Sequence, residues 1–335
     1  VAVNPSSYRK LVARHLSRNF REAVEIVETP WVEPGPDEIV VRNWFAGVNA
    51  SDVNISAGVY FVDPNPPFDL GVEAAGEVVA VGANVRHLKV GDQVITAMLG
   101  GGYREYQRLN ATLAIPAPAT PEALTIVVSA LTAAVGLETV GKMGQGETVL
   151  VTAAAGGVGH YAVQLAKLAG NHVIGTCRSA KKAALLRELG CDRVINYQEE
   201  DLGDVLAREY PNGIDLIFES VGGQLFDACV NHLAVRGRLI ICGYVSEYTS
   251  DAPEIVCAPR IYHQLLWKSA TVQAFLFSHY VEHVPAHLGR LMELYGNGSL
   301  TAAVDPTEFR GLESIPDAVE HLYRGANRGK IIVRL

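Results

Sequence analysis

The stretch TVLVTAAAGGVGHYAVQLAKLAG, residues Thr148–Gly170, decides the fold of this chain. Thr148–Val151 is rich in β-branched residues and predicts a short strand. It runs into the glycine cluster Gly156-Gly157-Val158-Gly159 and then into a segment of helical periodicity. Val158, Ala162, Leu165 and Ala169 recur at the spacing of one helix face, and Gly170 stands where a helix C-cap is expected. Strand, tight turn and helix form the opening unit of a dinucleotide-binding fold, in which the helix N-terminus offers free N–H groups and a positive dipole end to a pyrophosphate. The match to G-x-G-x-x-G is imperfect, because Ala154 replaces the first glycine and only Gly156 and Gly159 fill the other two places. An ordinary strand-to-helix turn has the same look, so the flanking sequence has to choose.

Downstream the chain alternates. Strands are predicted at His172–Thr176, Arg193–Asn196, Ile214–Glu219, Arg238–Cys242 and Thr271–Phe275, with helices around Ala180–Leu189, Glu199–Glu209, Gln224–Leu233 and Ile255–Trp267. Six strands with crossovers of this length describe a doubly wound α/β domain with a parallel sheet. Upstream, residues 1–122 are β-rich, with strands at Glu38–Phe45, Gly76–Val81 and Asp92–Thr96 punctuated by Pro34-Gly35-Pro36 and Pro64 to Pro67. Such spacing suits a small irregular barrel. Glu122–Val140 is helical, as is Tyr280–Tyr295, and Lys330–Arg334 closes the chain as a strand.

Composition narrows the classes. With 335 residues, 49% hydrophobic and 19% charged, two globular domains are the natural expectation. A net charge of −8 argues against nucleic acid or an anionic membrane as partner, and no run was expected to reach the ~18 apolar residues of a membrane span. Cys177, Cys191, Cys229, Cys242 and Cys257 are scattered with no C-x-x-C, which fits reduced thiols rather than a disulfide scaffold. A cytoplasmic compartment is expected, a peroxisomal or mitochondrial one staying open if terminal segments are missing. Arg9, Lys10, Arg14, Arg18 and Arg21 are interleaved with apolar residues in strand-like pieces, so the basic N-terminus is expected to be structural.

VNASD (Val48–Asp52), SAGVY (Ser56–Tyr60), VGANVRHLKVGDQV (Val81–Val94), AAAGGVG (Ala153–Gly159), LGCDRVINY (Leu189–Tyr197) and GANRGKIIV (Gly325–Val333) together resemble the zinc-independent quinone and enone reductase branch of the medium-chain dehydrogenase/reductases. The resemblance runs the full length. It implies a GroES-like β-rich catalytic domain from residues 1–122 and 280–335, around a Rossmann NADPH-binding domain of residues 123–279 with a six-stranded parallel sheet. It also implies a homodimer joined through the strand around Thr271–Phe275.

An NAD-preferring site places an acid near the end of the second strand, about 20 residues past the glycines. Here that end is Gly175-Thr176-Cys177-Arg178-Ser179, and Lys181 and Lys182 follow in the first helical turn, where cations oppose the helix dipole. A solvated basic helix face is the bland alternative; a bound 2′-phosphate accounts for both features and makes NADPH the expected cofactor. By resemblance, Lys182 and Tyr197 clamp that phosphate beside Cys177, Arg178 and Ser179. The turn Ala154, Ala155, Gly156, Gly157 and Val158, with Ser220 and Val221, is expected to line the cofactor. Thr132, Gly243, Tyr244, Phe275, Phe277 and Asn327 join them by resemblance, although the phenylalanines equally suit core or interface.

No metal is expected: the places of zinc ligands in related enzymes resemble Asn49 and Gly71-Val72-Glu73, which carry neither thiolate nor imidazole. His279, His283 and His287 have helical spacing, but Pro285 interrupts them and they are expected to be surface residues. The chemistry the resemblance implies is NADPH-dependent reduction of the C=C bond of α,β-unsaturated ketones or aldehydes, with 15-keto-prostaglandins among the candidate enones. Tyr60 is the expected donor to the developing oxyanion, or else an aromatic lid; Asn49 orients the donors or the nicotinamide, and Tyr248 and Tyr262 line the substrate with Tyr60. An NADPH:quinone oxidoreductase and a non-catalytic NADPH-binding protein stay open as alternatives.

Overall fold

Thr148–Val151 forms the expected strand and sits inside a six-stranded sheet. In spatial order the strands are Arg193–Asn196, His172–Cys177, Thr148–Val151, Ile214–Glu219, Leu233–Ile241 and Thr271–Ala274, every pairing parallel. Strand order reverses beside Thr148–Val151, and such a switch point is where open α/β sheets bind ligands. Leu150, Ile174, Ile195, Ile217 and Leu239 belong to one buried cluster, as expected of apolar strands covered by helices on both faces. The helix Gly159–Leu168 follows the glycine turn, and Gly170 takes the left-handed conformation of a C-cap.

The computed structural model describes residues 5–60 and 64–335, in two compact units: Val1–Val128 with Val304–Leu335, and Ser129–Ala303. The chain therefore rejoins the first unit at Val304, later than the 280 expected from sequence. The helix Val284–Gly296 belongs to the second unit, where Arg290 pairs with Glu138 and His287 Nε2 lies 2.9 Å from Thr139 Oγ1. It starts at Val284 rather than Tyr280, because Phe277–His283 is a 3₁₀ segment and Pro285 fits the first turn, where no backbone donor is needed.

Ile255–Trp267 departs further from expectation. Only Tyr262–Leu265 is α-helical, with a 3₁₀ turn at Leu266–Lys268. Pro253 and Pro259 bracket the preceding stretch, and Ile255 is 97% exposed, so no packed face stabilises a helix there. The helical run Pro121–Val140 corrects a second expectation. An 18-residue window within its 20 residues has a mean hydropathy of 1.8 and passes for a membrane span by length and composition, yet 78% of that window is buried inside the protein. It is a core helix.

In the first unit Glu38–Gly47 is the organising strand, pairing antiparallel with Glu73–Val81, Tyr106–Asn110 and the closing strand Ile332–Arg334. The C-terminal strand thus shares a sheet with Glu38–Gly47, while Ser7–Ala13 lies in a separate three-stranded sheet. The basic N-terminus is structural: Ser7–Ala13 pairs with Val24–Pro30, Arg9 binds Glu105 and Glu313, and Arg21 binds Asp317 and Glu320.

Candidate active site

The glycine turn is built by close backbone approach. Ala153 has a left-handed φ of 46°, and Gly156 N–H donates to its carbonyl at 2.9 Å. Ala154 and Ala155 are buried, whereas Gly156, Gly157 and Val158 are half-buried at the mouth of the helix. A Cβ on Gly159 would lie 2.4 Å from the Ala153 carbonyl oxygen and 2.7 Å from Ala154 Cα, so this glycine is required for helix-to-strand packing. A Cβ on Gly156 would meet only the Ala153 oxygen, at 3.2 Å. The packing of the protein itself hardly needs a glycine there.

The next corner forms where the strands His172–Cys177 and Arg193–Asn196 end side by side. Tyr197 N–H donates to the Cys177 carbonyl at 3.0 Å, bringing Tyr197 to the turn Arg178-Ser179. Burial raises the Tyr197 phenol above its ordinary pKa, with Arg178 acting the other way. Ser179 caps the helix Ala180–Glu188 by accepting the Lys182 N–H at 3.3 Å. Lys181 is exposed and Lys182 half-buried in that first turn. Cys177 is a buried thiol whose pKa desolvation raises, with Glu199 near enough to push the same way.

Glu219, at the end of Ile214–Glu219, organises a third edge that sequence reasoning passed over. It is fully buried and accepts N–H bonds from Val221 at 2.8 Å and Gly222 at 3.1 Å, and the Thr152 hydroxyl at 3.1 Å. Burial raises its pKa against the pull of those donors. An acid followed directly by Ser-Val-Gly-Gly was the available signal, since one side chain can bind the N–H groups of a turn that begins beside it. Thr152 Oγ1 also accepts from Ser220 N–H at 2.8 Å, so Ser220 and Val221 are held by side chains behind them. Thr132 is half-buried where Leu131, Ala133 and Ala134 are buried.

Other candidates separate. Tyr244 is exposed and packs edge-on against Tyr248 at 4.7 Å, while Tyr248 is buried with its hydroxyl over Gly243. Tyr248 thus packs within the loop that follows Leu233–Ile241. Phe275 lies against Gly136 and meets Tyr280 edge-on at 6.1 Å, a packing role. Tyr262 is exposed and stacks on His263. Phe277 is half-buried at the start of the 3₁₀ segment.

In the first unit the sequence candidates meet a buried charge cluster. Asn49 Nδ2 donates to Glu73 Oε1 at 2.9 Å, and Lys330 Nζ reaches Asn49 Oδ1 at 2.6 Å and Glu73 Oε1 at 2.5 Å. Asn49 N–H donates to Asp52 Oδ2 at 2.8 Å, which also accepts the Tyr103 hydroxyl at 2.5 Å. Burial pushes Asp52 up to about 6, and Tyr103, enclosed beside it, well above its usual value. Asn327 is buried and its amide donates to the Gly329 carbonyl at 2.9 Å, so it shapes the turn that delivers Lys330. Tyr60 is 43% exposed. The final lysine of G-x-N-x-G-K was legible as a motif, but its burial was not.

A zinc ion does not fit these residues. An ammonium bonds both Asn49 and Glu73, and that neutral amide and lone carboxylate are a poor set for a metal that favours thiolate and imidazole. Among the described residues, no group of three His, Cys, Asp or Glu side chains is placed to hold a metal.

Residues 35–119 match the family model of the alcohol dehydrogenase GroES-like domain, and residues 157–293 that of the zinc-binding dehydrogenases. The chain is 46% identical to prostaglandin reductase-3 of Mus musculus over 99% of its own length and 90% of that protein's. It is 43% identical to a probable quinone oxidoreductase of Leishmania amazonensis over 99% of both. Its fold superposes on the Escherichia coli quinone oxidoreductase complexed with NADPH with a TM-score of 0.83 at 28% identity, covering 98% of this chain and all of that one. A Rossmann sheet with a phosphate-admitting glycine turn and a GroES-like unit closed by its own C-terminal strand complete the pattern: the chain belongs to the medium-chain dehydrogenase/reductase family, among its quinone and prostaglandin reductases.

Proposed function

We propose that the chain is an NADPH-dependent, metal-free reductase of the C=C bond of α,β-unsaturated ketones and aldehydes. Its similarity to prostaglandin reductase-3 along nearly the whole chain carries this reading. NADPH, when bound, supplies the hydride that goes to the β-carbon. The residues Ala154–Val158 and Ser220–Val221 bind and orient it, and Arg178, Lys182 and Tyr197 hold its 2′-phosphate. Negative charge then moves to the carbonyl oxygen, fixed donors stabilise it, and the α-carbon takes up a proton to complete the reduction. Tyr60 is the donor that this reading assigns, because a phenol O–H can donate to an oxyanion. Asn49 is the second.

The test is NADPH oxidation with enones and enals of graded chain length, 15-keto-prostaglandins and ortho-quinones. Turnover of enones supports the proposal; NADPH binding with no turnover on any of them sinks it. Tyr60→Phe is expected to lower kcat on enones by roughly 10–100-fold, the scale of losing one oxyanion donor. An unchanged kcat removes that role while leaving the fold assignment intact. The quinone oxidoreductase of Leishmania amazonensis favours a second reading, quinone reduction. Fast ortho-quinone turnover insensitive to Tyr60→Phe would select it.

The reading includes a homodimer through Thr271–Ala274. That strand pairs with Leu233–Ile241 on one side and ends the sheet, and Leu266 and the 82% exposed Trp267 just before it leave apolar surface uncovered. A monomer in analytical ultracentrifugation at micromolar concentration would remove this part. A cytoplasmic location belongs to the same reading, supported by five unpaired cysteines.

A further inference from the structure

Lys330 and Glu73 are an ion pair buried to 3% and 0% side-chain exposure, an arrangement that hydrophobic residues of equal volume often match in stability. Three features of the fold serve it. Gly47 leaves room for the carboxylate, since a Cβ there would stand 2.3 Å from Glu73 Oε1. Gly329, with a φ of 81°, and the buried Asn327 shape the turn before Lys330. On the other side, Asp305 N–H donates to the Lys330 carbonyl at 2.8 Å and Asp305 Oδ2 accepts the Arg328 N–H at 2.6 Å.

The pair's shared neighbour is Asn49. Its amide oxygen faces an ammonium, which can only donate, and its amide nitrogen faces a carboxylate, which can only accept. The amide therefore has one orientation. One Nδ2 hydrogen goes to Glu73 at 2.9 Å; for the other, among the described residues, the structure offers the long bond to the Gly47 carbonyl at 3.4 Å. Asn49 is also the half-buried member of the trio, while Lys330 and Glu73 are closed off.

We infer that Lys330 and Glu73 are positioning residues that lock the Asn49 amide so that its second N–H is a fixed donor to the substrate's developing oxyanion. This rests on the reductase reading above. The ammonium draws charge toward the amide oxygen and sharpens the N–H as a donor, while Glu73 balances its charge and fixes the plane. A neutral amide held between two opposite charges stabilises an oxyanion without surrendering a proton, which leaves protonation of the α-carbon to another group.

The test compares Asn49→Ala, the charge-removing double variant Lys330→Met/Glu73→Gln, and the triple combination. Steady-state reduction of a simple enone, NADPH fluorescence titration and thermal melting are measured on each full-length protein. Asn49→Ala takes one hydrogen bond from each buried charge but leaves the Lys330–Glu73 pair itself in place, and it is expected to fold, with kcat reduced about 10²-fold and NADPH affinity within about threefold of native. The double variant removes both charges together and so strands neither. It is expected to lose kcat to a similar extent, and adding Asn49→Ala to it to change kcat less than about threefold, because the pair acts through Asn49. Native kcat in Asn49→Ala overturns the inference, whether or not the double variant folds. A folded double variant with native kcat, or a triple variant in which the losses multiply, also overturns it. Native protein inert on every enone and quinone sinks the reductase reading itself; active native protein with an indifferent Asn49→Ala sinks only this inference.

Discussion

Gly156→Ala is expected to weaken NADPH binding roughly tenfold to a hundredfold, about 1.4–3 kcal/mol, while leaving the melting temperature near that of the native protein. Gly159→Ala, three residues on, is expected to do the reverse and lower the melting temperature by roughly 4–10 °C. Both belong to one turn and both would ordinarily be called motif glycines. The difference is in what an added methyl meets. At Gly159 it drives into the Ala153 carbonyl at 2.4 Å and Ala154 Cα at 2.7 Å, backbone atoms at the root of the turn that cannot swing aside. At Gly156 the nearest atom is 3.2 Å away and φ is not left-handed, so alanine is accommodated with a shift of a few tenths of an ångström. Its methyl then stands where the pyrophosphate must approach the helix N-terminus. Fluorescence titration with NADPH and thermal melting on the two variants separate these roles. Native affinity in Gly156→Ala would show that the phosphate lies elsewhere.

The same contrast explains how far the sequence could be read. The strand, turn and helix of Thr148–Gly170 were legible because apolar periodicity and glycine placement report directly on a buried strand and a close turn. The alternation beyond it yielded the other five strands to within a few residues at their ends, except that Leu233–Ile241 begins five residues before the expected Arg238. Periodicity failed at Ile255–Trp267, where apolar residues suggested a helix but two prolines and a lack of packing partners left an exposed, irregular strand of chain. It also failed to place Val284–Gly296, because the pairings of Arg290 and His287 that hold this helix in the second unit are tertiary. At the candidate site, the glycines and the missing acid were visible as spacing. The burial and pairing of Lys330 and Glu73 were not, since nothing in a sequence distinguishes a charged residue that is buried and paired from one that is solvated. Their positions depend on strands brought together from 257 residues apart, as Glu73 and Lys330 are.

Lys182→Glu is expected to raise the dissociation constant for NADPH by about two orders of magnitude and to change that for NADH less than threefold. Lys182 is half-buried in the first turn of Ala180–Glu188, its own N–H held by the Ser179 cap, so its backbone is fixed. A cation in that turn opposes the helix dipole by about 0.3–1 kcal/mol, and reversing the charge removes the opposition. The variant should therefore be at least as stable as the native protein, which prevents a loss of affinity from being mistaken for unfolding. Against a 2′-phosphate the effect has the opposite sign. Each unit charge a few ångströms away contributes roughly 1–4 kcal/mol, depending on how well solvent screens it, and the substitution replaces attraction by repulsion. Arg178 and Tyr197 remain at the corner, which is why the loss stops short of the full Coulomb figure. NADH carries a 2′-hydroxyl in place of the phosphate, and the introduced carboxylate is the acid that NAD-preferring sites place near this position. Its binding is thus held or slightly improved. The measurement is a pair of titrations with the two cofactors, repeated at low and high salt, since screening should narrow the difference. Equal losses for both cofactors would return Lys182 to a solvated helix face and leave the choice of NADPH to Arg178 and Tyr197.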